Sequence, residues 1–287
     1  MVPVSTGRGN GRQKAVNYKF RSATDATFAN IAGMQRRLLT HIGHYLAGAA
    51  LVLSAIAWLG IPFAIGGRLF GLWPPLAALK IGFGTLVLAA AGGLVLGLAG
   101  LWFGRKREPG STVFRHGLIA AIAALLILLF PAYWLVKARG VPPIHDITTD
   151  TANPPGFAAV LADRLAEHAN SAVYDPAVAA LQRAAYPDVQ PLPVARSPGE
   201  TFVKALAVAK AMGWKIDAAE AESGRIEATD TTRWIGFRDD IAVRVSATED
   251  GKSRVDIRSL SRQGESDIGA NAKRIRTYLA RLRRDAG

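Results

Sequence analysis

Residues 224–271 have the sequence GRIEATDTTRWIGFRDDIAVRVSATEDGKSRVDIRSLSRQGESDIGAN, and this stretch decides the fold of the C-terminal half of the chain. Apolar and polar residues alternate in its last two segments, where Ile241, Val243 and Val245 share one face, as do Val255 and Ile257. A period of two is typical of strands that bury one face. The segments are joined by turns of hairpin length, so the stretch predicts an antiparallel meander.

We predict four strands in this region and two helices that pack on one face of their sheet. The strands are expected at about residues 214–220, 224–231, 240–248 and 253–262. One helix begins after Ser197, because Ser197-Pro198-Gly199-Glu200 matches a capping box with proline at the first helical position. The other is expected at about residues 267–284, where apolar residues recur at helical spacing. The predicted fold class is α+β, a two-layer α/β sandwich with a four-stranded antiparallel meander.

Two short predicted helices and a proline-rich segment precede the capping box. We expect the short helices at about residues 157–168 and 175–185. The proline-rich segment, residues 186–194, has the sequence YPDVQPLPV. Because proline lacks the backbone N–H and has a fixed φ, this segment is predicted to be irregular and to cross the domain as a strap.

Three apolar stretches lie upstream, at about residues 42–67, 81–103 and 117–136. Each is long enough to cross a hydrocarbon core of about 30 Å, which takes about 20 helical residues. Backbone polar groups cannot go unpaired in lipid, so each stretch is predicted to be a transmembrane helix. The predicted organisation is a basic, disordered tail at residues 1–40, a three-helix transmembrane region at residues 41–137 and an α+β domain at residues 138–287.

The basic residues beside the spans predict an orientation. Seven Lys and Arg residues precede the first span and four lie between the second and third, whereas only Arg68 and Lys80 lie between the first and second. Basic residues in short loops mark the cytoplasmic side. We therefore expect a cytoplasmic N-terminus and, after three crossings, the α+β domain on the opposite side. In a bacterium with an inner membrane, this is a multi-pass inner-membrane protein with a periplasmic domain.

The division of charge argues against nucleic-acid binding. The formal net charge is +13, but the residues before Lys137 carry +11 of it and the rest of the chain carries +2. This distribution follows membrane topology and does not form a basic nucleic-acid surface. Cysteine is absent, which excludes disulfides, thiolate catalysis and cysteine-bound metals. We expect no metal and no cofactor.

Small residues recur every four positions in the second span, at Ala89, Gly93 and Gly97. Such faces let helices approach closely. Packing among this chain's own helices is the favoured interpretation, and a homo-oligomer formed through this Gly-rich span is the alternative.

Three histidines lie at the predicted cytoplasmic ends of the spans: His41, His44 and His116. We interpret them as interfacial polar residues in preference to a haem or metal site, since no charged residue lies in mid-span.

Arginines dominate the predicted sheet face opposite the two helices. The candidates for binding an anionic ligand are Arg225, Arg244, Arg254, Arg258 and Arg262. The forked guanidinium suits phosphate and carboxylate groups. A solvated ladder of cross-strand ion pairs is the favoured interpretation of this face, and an anionic, lipid-like ligand is the functional alternative.

Other polar residues recur in motifs to which the sequence assigns no role. They are Asp146, Asp150, Arg233, Trp234, Asp239, Asp240, Asp267 and Asn271. Asp146 and Asp150, together with Thr148 and Thr149, could hold a cation through oxygen atoms, but local turns are the favoured interpretation. The carboxylates in this set are also the candidates for a hydrolase. Because the chain has no HExxH, GxSxG, P-loop or dinucleotide fingerprint, an enzyme is the less favoured class and no catalytic residue is assigned.

Four segments together resemble one protein family. They are IHDITTDTANPPGF at 144–157, AYPDVQPL at 185–192, GRIEATDTTRWIGFRDDIAVRV at 224–245 and RVDIRSLSRQGESDIGANAKRI at 254–275. In this order they are similar to the bacterial and plastid family called domain of unknown function 1499, over about residues 143–284. The resemblance implies a membrane-associated or periplasmic domain. It implies no reaction and no catalytic residue.

Two functions beside the hydrolase follow from these observations. In the first, the chain is a membrane protein held in the lipid bilayer, and its periplasmic domain binds an anionic, lipid-like ligand or an envelope protein partner. In the second, it is a structural or assembly factor of an envelope membrane complex, acting through the Gly-rich second span and the proline-rich segment. The sequence does not separate the two.

Overall fold

The computed structural model of the chain describes residues 10–105 and 111–286. Three long helices come first, α1 at Asn10–Leu69, α2 at Pro75–Arg105 and α3 at Thr112–Arg139. Each contains a window that is long and apolar enough to cross a membrane. The three predicted membrane-spanning helices are therefore confirmed by length and composition.

Helix α1 begins earlier than expected. The tail predicted to be disordered over residues 1–40 is helical from Asn10 onward, and residues 1–9 lie outside the described residues. The segment from 10 to 40 contains no proline and is rich in alanine and basic residues, which favour helix. Lys106 and Arg107, which contributed to the predicted orientation, also lie outside the described residues.

Contacts divide the chain into two compact units, Met1–Leu59 with Thr85–Leu129, and Gly60–Gly84 with Phe130–Gly287. In the first unit, α2 packs on both other helices through small residues. A Cβ added to Gly97 would lie 2.9 Å from the backbone nitrogen of Ala121, and one added to Gly93 would lie 3.0 Å from Ser54 Oγ. The small-residue face thus packs within this chain, as the favoured interpretation expects. The homo-oligomer stays a prediction.

The second unit contains a six-stranded antiparallel sheet. Its strands are β1 Asp146–Thr148, β2 Leu192–Val194, β3 Lys215–Glu220, β4 Arg225–Thr231, β5 Arg238–Ala247 and β6 Ser253–Ser261. The order is β1-β6-β5-β4-β3, and β2 also pairs with β6. The predicted α+β class is confirmed, with the four expected strands forming β3 to β6.

Two short strands were not predicted. β1 pairs with β6 from Asp146–Leu260 to Thr148–Arg258, and β2 pairs with the same strand from Leu192–Val255 to Val194–Ser253. The expected count of four strands is therefore wrong, and the proline-rich segment is not irregular throughout. Pro193 is tolerated in β2 because this strand lies at the edge of the sheet, where proline occurs without breaking an inner ladder.

Two longer helices, α6 at Pro198–Ala211 and α7 at Ala270–Ala286, cover one face of the sheet. The capping box is confirmed, because the Ser197 side chain accepts from Glu200 N and the Glu200 carboxylate accepts from Ser197 N. Tyr278 of α7 stacks on Trp214 at 5.2 Å and donates a hydrogen bond to Ala205 O of α6. The core lies between these helices and the apolar face of the sheet.

The other face of the sheet is also covered, by a segment that we call the cover, residues 149–174. It contains the short helix α4, Leu161–Ala166, and is followed by α5, Val178–Ala185. The backbone N–H groups of Ala158 and Val160 donate to the carboxylate of Glu227 at 2.9 and 3.2 Å. Since Glu227 lies on β4 and is fully buried, the cover excludes water from this part of the polar face of the sheet.

Candidate functional site

The polar face of the sheet brings all five candidate arginines into ion pairs beneath the cover or at its border. Arg258 is the most enclosed of the simple pairs, with 3% of its side chain exposed. Its Nε and Nη2 donate to the two oxygens of Asp146 at 2.9 and 2.7 Å. Its guanidinium also lies over the ring of Phe157, with 5.1 Å between Cζ and the ring centroid. This pair joins β6 to β1 and holds the cover onto the sheet.

Arg244 and Arg254 share two carboxylates on the same face. Both contact Asp150, at 3.1 and 3.0 Å, and both contact Asp256, at the same two distances. The hydrogen bond to Asp256 raises the pKa of Arg254 above its ordinary value. We call these four residues the Asp150 group, in which two positive charges meet two negative charges.

Arg225 lies at the start of β4 and contacts two carboxylates. Glu220 pairs with its Nη2, and Glu227 lies 3.0 Å from its Nη1. The hydrogen bond to Glu220 raises the pKa of Arg225. This group has one positive and two negative charges, so an added anion would meet repulsion here.

Arg262 is buried in a larger cluster that we call the Asp240 group. Asp240 accepts from Arg262 Nη2 at 2.8 Å and from Arg164 Nη1 at 2.5 Å. Glu167 accepts from Arg262 Nη1 at 2.7 Å and also pairs with Arg238. Burial tends to lower the pKa of Arg262, but the hydrogen bonds to Asp240 outweigh it and raise this pKa. In this group, three guanidinium groups share two carboxylates.

The polar motif residues on the other face have structural partners too. Asp239 pairs with Arg274 of α7 at 2.6 Å, and Asp267 accepts from the N–H groups of Gly269 and Asn271 where α7 begins. Burial raises the pKa of Asp267. Asn271 accepts from Ser259 Oγ at 2.7 Å. These contacts tie α7 to the end of the sheet.

The hydrolase candidates are therefore spread over both faces of the sheet and do not meet at one point. Asp146, Asp150 and Asp240 each bind arginines, and Asp267 caps a helix. In residues 10–105 and 111–286 there is no group of three His, Asp or Glu side chains placed to hold a metal ion.

The hairpin loop between β4 and β5 carries the remaining motif residues. Arg233 and Trp234 are both exposed, and Trp234 has a φ of 74°. The loop touches the turn between α1 and α2, because Arg68 Nε donates to Ile235 O at 3.2 Å. Both segments belong to the second compact unit. Arg68 is the penultimate residue of α1, and Ile235 lies 167 residues further along the chain. The sequence therefore offered no signal for this contact.

A cleft of about 380 Å³ lies beside this contact. Its lining includes Arg68, Trp73, Glu167, Arg238, Arg262 and Gln263. Arg238 is 42% exposed, so its guanidinium is accessible from water although it pairs with Glu167. Within the part of the chain that the structure describes, no ion pair is found for Arg68, whose contact at the cleft is the carbonyl of Ile235.

The balance of charge distinguishes this cleft from the other arginine groups. The Asp146 pair and the Asp150 group are neutral, and the Arg225 group is negative. The Asp240 group has one positive charge in excess, and Arg68 adds a second. Arg262 is the member of the predicted ligand set that lies in the cleft. Sequence reasoning missed Arg68 and Arg238, whose contacts with Ile235 and Glu167 span 167 and 71 residues.

Comparison with known families agrees with the resemblance seen in the motifs. Residues 146–282 match the model of a family described as protein of unknown function (DUF1499). The matched range begins in β1 and ends in α7, so it contains the whole sheet, the cover, α6 and most of α7. No curated protein matches the chain.

Proposed function

We propose that the α+β domain binds the anionic group of a lipid-like ligand at the cleft. Residues 146–282 match the model of the DUF1499 family, whose description assigns no activity, so the proposal rests on the cleft. The protein is a multi-pass protein of the bacterial inner membrane, with a cytoplasmic N-terminus and the domain in the periplasm. The observation that carries the proposal is the excess of guanidinium groups over carboxylates at the cleft.

The chemistry of the lining favours an anion with several oxygens. Arg68 and Arg238 each present N–H donors in a planar fork, which suits the paired oxygens of phosphate or carboxylate. Glu167 pairs with both Arg238 and Arg262, so it holds these two guanidinium groups together at the cleft. The cleft is open to water, so a headgroup can enter without displacing the fold.

The position of the cleft favours a ligand that comes from the membrane. Arg68 is the penultimate residue of α1, and Trp73 and Pro75 mark the turn into α2. The ends of spans coincide with the headgroup layer, where tryptophan and arginine are enriched. A lipid headgroup therefore reaches these side chains without leaving the bilayer.

Binding by the full-length chain in a neutral detergent tests the proposal. The probes are short-chain phosphatidylglycerol, short-chain phosphatidylcholine and inorganic phosphate, and Kd is measured by calorimetry. We expect the anionic lipid to bind at least tenfold more tightly than the zwitterionic lipid. Phosphate binding as tight as the lipid's would identify a free anion as the ligand and sink the lipid-like part of the proposal.

Paired variants identify the site. Arg68→Gln with Arg238→Gln removes both accessible guanidiniums of the cleft, and each charge-assisted contact is worth about 1.5–3 kcal/mol, so Kd rises at least tenfold. The control is Arg276→Gln, because Arg276 is 41% exposed and pairs with Asp188, as Arg238 is 42% exposed and pairs with Glu167. Arg254→Gln tests the sheet face. Loss of binding in Arg254→Gln with none in the double variant would assign the site to the Asp150 group and overturn the cleft.

A further inference from the structure

The loop between β4 and β5 displays a large aromatic side chain at its tip. The loop is closed by hydrogen bonds from Thr232 N to Phe237 O at 2.7 Å and from Gly236 N to Thr232 O at 2.9 Å. Trp234 lies between them and is 64% exposed. The loop is thus an ordered hairpin end that projects an indole away from the domain.

The backbone of Trp234 is in an unusual conformation. Its φ of 74° lies in the left-handed region, which bulky side chains rarely adopt. Residues held in such conformations cluster where a loop contacts a ligand or another surface. Burial inside this domain does not explain the conformation, since Trp234 is 64% exposed.

The loop lies at the boundary of the membrane-spanning region. Ile235 O accepts the hydrogen bond from Arg68, one residue before α1 ends at Leu69. Gly236 permits the close approach, because a Cβ at this position would lie 2.9 Å from Arg68 Nη2. Trp234 is therefore the neighbour of Ile235, whose carbonyl oxygen binds Arg68 near the end of α1.

The turn beside this loop is apolar and equally uncovered. Leu69, Phe70 and Leu72 are exposed by 66%, 84% and 69%. These residues directly continue α1, whose apolar surface faces lipid in any membrane-spanning arrangement. Apolar surface in this place is covered by the bilayer, and Trp234 lies beside it.

We propose that Trp234 inserts into the interfacial layer of the bilayer that the spans cross, together with Phe70 and Leu72 of the neighbouring turn. An indole suits this layer, because its ring is apolar and its N–H reaches headgroup or water oxygens. Arg233 is exposed next to it and can contact lipid phosphates, as basic residues do beside inserted aromatic residues. The hairpin thus fixes the domain against the membrane surface, whether or not the cleft binds an anion.

Depth measurement on the full-length chain tests this contact. The chain contains no cysteine, so Trp234→Cys carries a single nitroxide label without further changes. Asp250→Cys is the matched control, because it lies in the tight turn after β5, at the other end of a ten-residue strand that is about 30 Å long. Both are reconstituted in vesicles of pure phosphatidylcholine, so the result does not depend on binding of an anion.

We expect the label at 234 to be relaxed by oxygen, which concentrates in the bilayer, and the label at 250 by a water-soluble nickel complex. Equal nickel accessibility at the two positions would overturn the proposal. So would a label at 234 that neither reagent reaches, because that outcome indicates a second copy or a protein partner.

A second measurement keeps the indole in place. Lipids brominated near the headgroup should quench more fluorescence in the wild-type protein than in Trp234→Phe, and the difference is the contribution of Trp234. Equal quenching in the two proteins argues against insertion. Unchanged far-UV circular dichroism shows that the variant has folded.

Discussion

Asp146 and Arg258 illustrate how charged side chains are accommodated inside this domain. Both are buried, and removing an ion from water costs several kcal/mol unless a partner and hydrogen bonds compensate. Here the guanidinium makes two hydrogen bonds to the carboxylate and a third to Ala172 O at 2.9 Å. The net contribution of such a pair is small, but the loss of one partner is costly because the other stays buried.

We predict that Arg258→Ala lowers the free energy of unfolding by about 3–5 kcal/mol. Arg276→Ala is the comparison, because Arg276 is 41% exposed and its partner Asp188 is 57% exposed, and it should cost less than about 1 kcal/mol. Urea unfolding of the detergent-solubilised chain, followed by near-UV circular dichroism, measures both. The double variant Arg258→Met with Asp146→Leu should recover much of the loss. Equal costs for the two alanine variants would contradict this account of the buried pair.

The buried carboxyl of Asp267 should make the free energy of unfolding depend on pH. Burial raises the pKa of its carboxyl above the ordinary value of 3.8, although two backbone N–H groups oppose this shift. The fold therefore favours the protonated form. The stabilisation that this carboxyl contributes is fully present at pH values below its pKa in the unfolded chain. It is lost as the pH rises through its pKa in the folded chain.

The variant Asp267→Asn cannot ionise and removes this dependence. Asparagine still caps the helix through one oxygen, but it cannot replace both hydrogen bonds of the carboxylate. We therefore expect the variant to lose the same amount of unfolding free energy at every pH from the missing hydrogen bond. Relative to the wild type, the variant should gain unfolding free energy as pH rises above 3.8. Urea unfolding at a series of pH values from 3.5 upward measures this slope. A difference between the two proteins that stays constant with pH would contradict the assignment.

At the scale of elements, the edge of the sheet depends on one glutamine. β1 lies at the end of the strand order, and Gln182 of α5 occupies the place of a further strand. Its Nε2 donates to Thr148 O at 2.7 Å, and its Oε1 accepts from Thr148 N at 3.0 Å. The short β1 is thus paired on both sides, by β6 and by a side chain.

We predict that Gln182→Met, which preserves size, destabilises the domain by about 1–3 kcal/mol for each backbone group left unpaired. The amide of Thr148 should also exchange with solvent faster, whereas amides in β5 should change only as far as global stability falls. Hydrogen exchange read by mass spectrometry checks this on peptides from residues 144–152 and 238–247. Uniform acceleration across both peptides would show that Gln182 acts on overall stability and not on the edge.

Elements with their own periodic pattern were predictable from the sequence, and those defined by distant partners were not. The capping box at Ser197 located α6, and alternation around Ile241 and Val255 located β5 and β6. β1 and β2 have three residues each, which is too short for a period to show. The helix expected at 157–168 is shorter, at Leu161–Ala166, and the residues before it bind Glu227 through Ala158 N and Val160 N, a contact 67 to 69 residues away in sequence.

The candidate site was predictable only in part for the same reason. Alternation placed the five arginines on one face, and the register between β5 and β6 agrees with this. Their partners are far away in sequence, as Asp146 is from Arg258, so the sequence could not show which arginines are neutralised. Only the surplus of charge at the cleft, which depends on Arg68 and Glu167, separates the proposed site from structural pairs.

At the scale of the whole molecule, we predict the orientation in the membrane from the basic residues beside the spans. Three crossings would place the two ends of the chain on opposite sides, so the predicted orientation puts the domain on the periplasmic side of an inner membrane. The cleft and the Trp234 loop lie beside the turn that follows α1, so this turn must also face the periplasm.

Single cysteines in this cysteine-free chain test that orientation directly. Asp250→Cys marks the exposed turn after β5, and Gln35→Cys marks an exposed position on α1 beside the basic pair Arg36 and Arg37. In spheroplasts of a bacterium with two membranes, a membrane-impermeant maleimide should label Asp250→Cys at once. Gln35→Cys should react only after the inner membrane is permeabilised, because its basic neighbours favour the cytoplasmic side. Labelling of Gln35→Cys in intact spheroplasts, with Asp250→Cys protected, would reverse the topology. The cleft would then face the cytoplasmic leaflet, and its ligand would have to come from there.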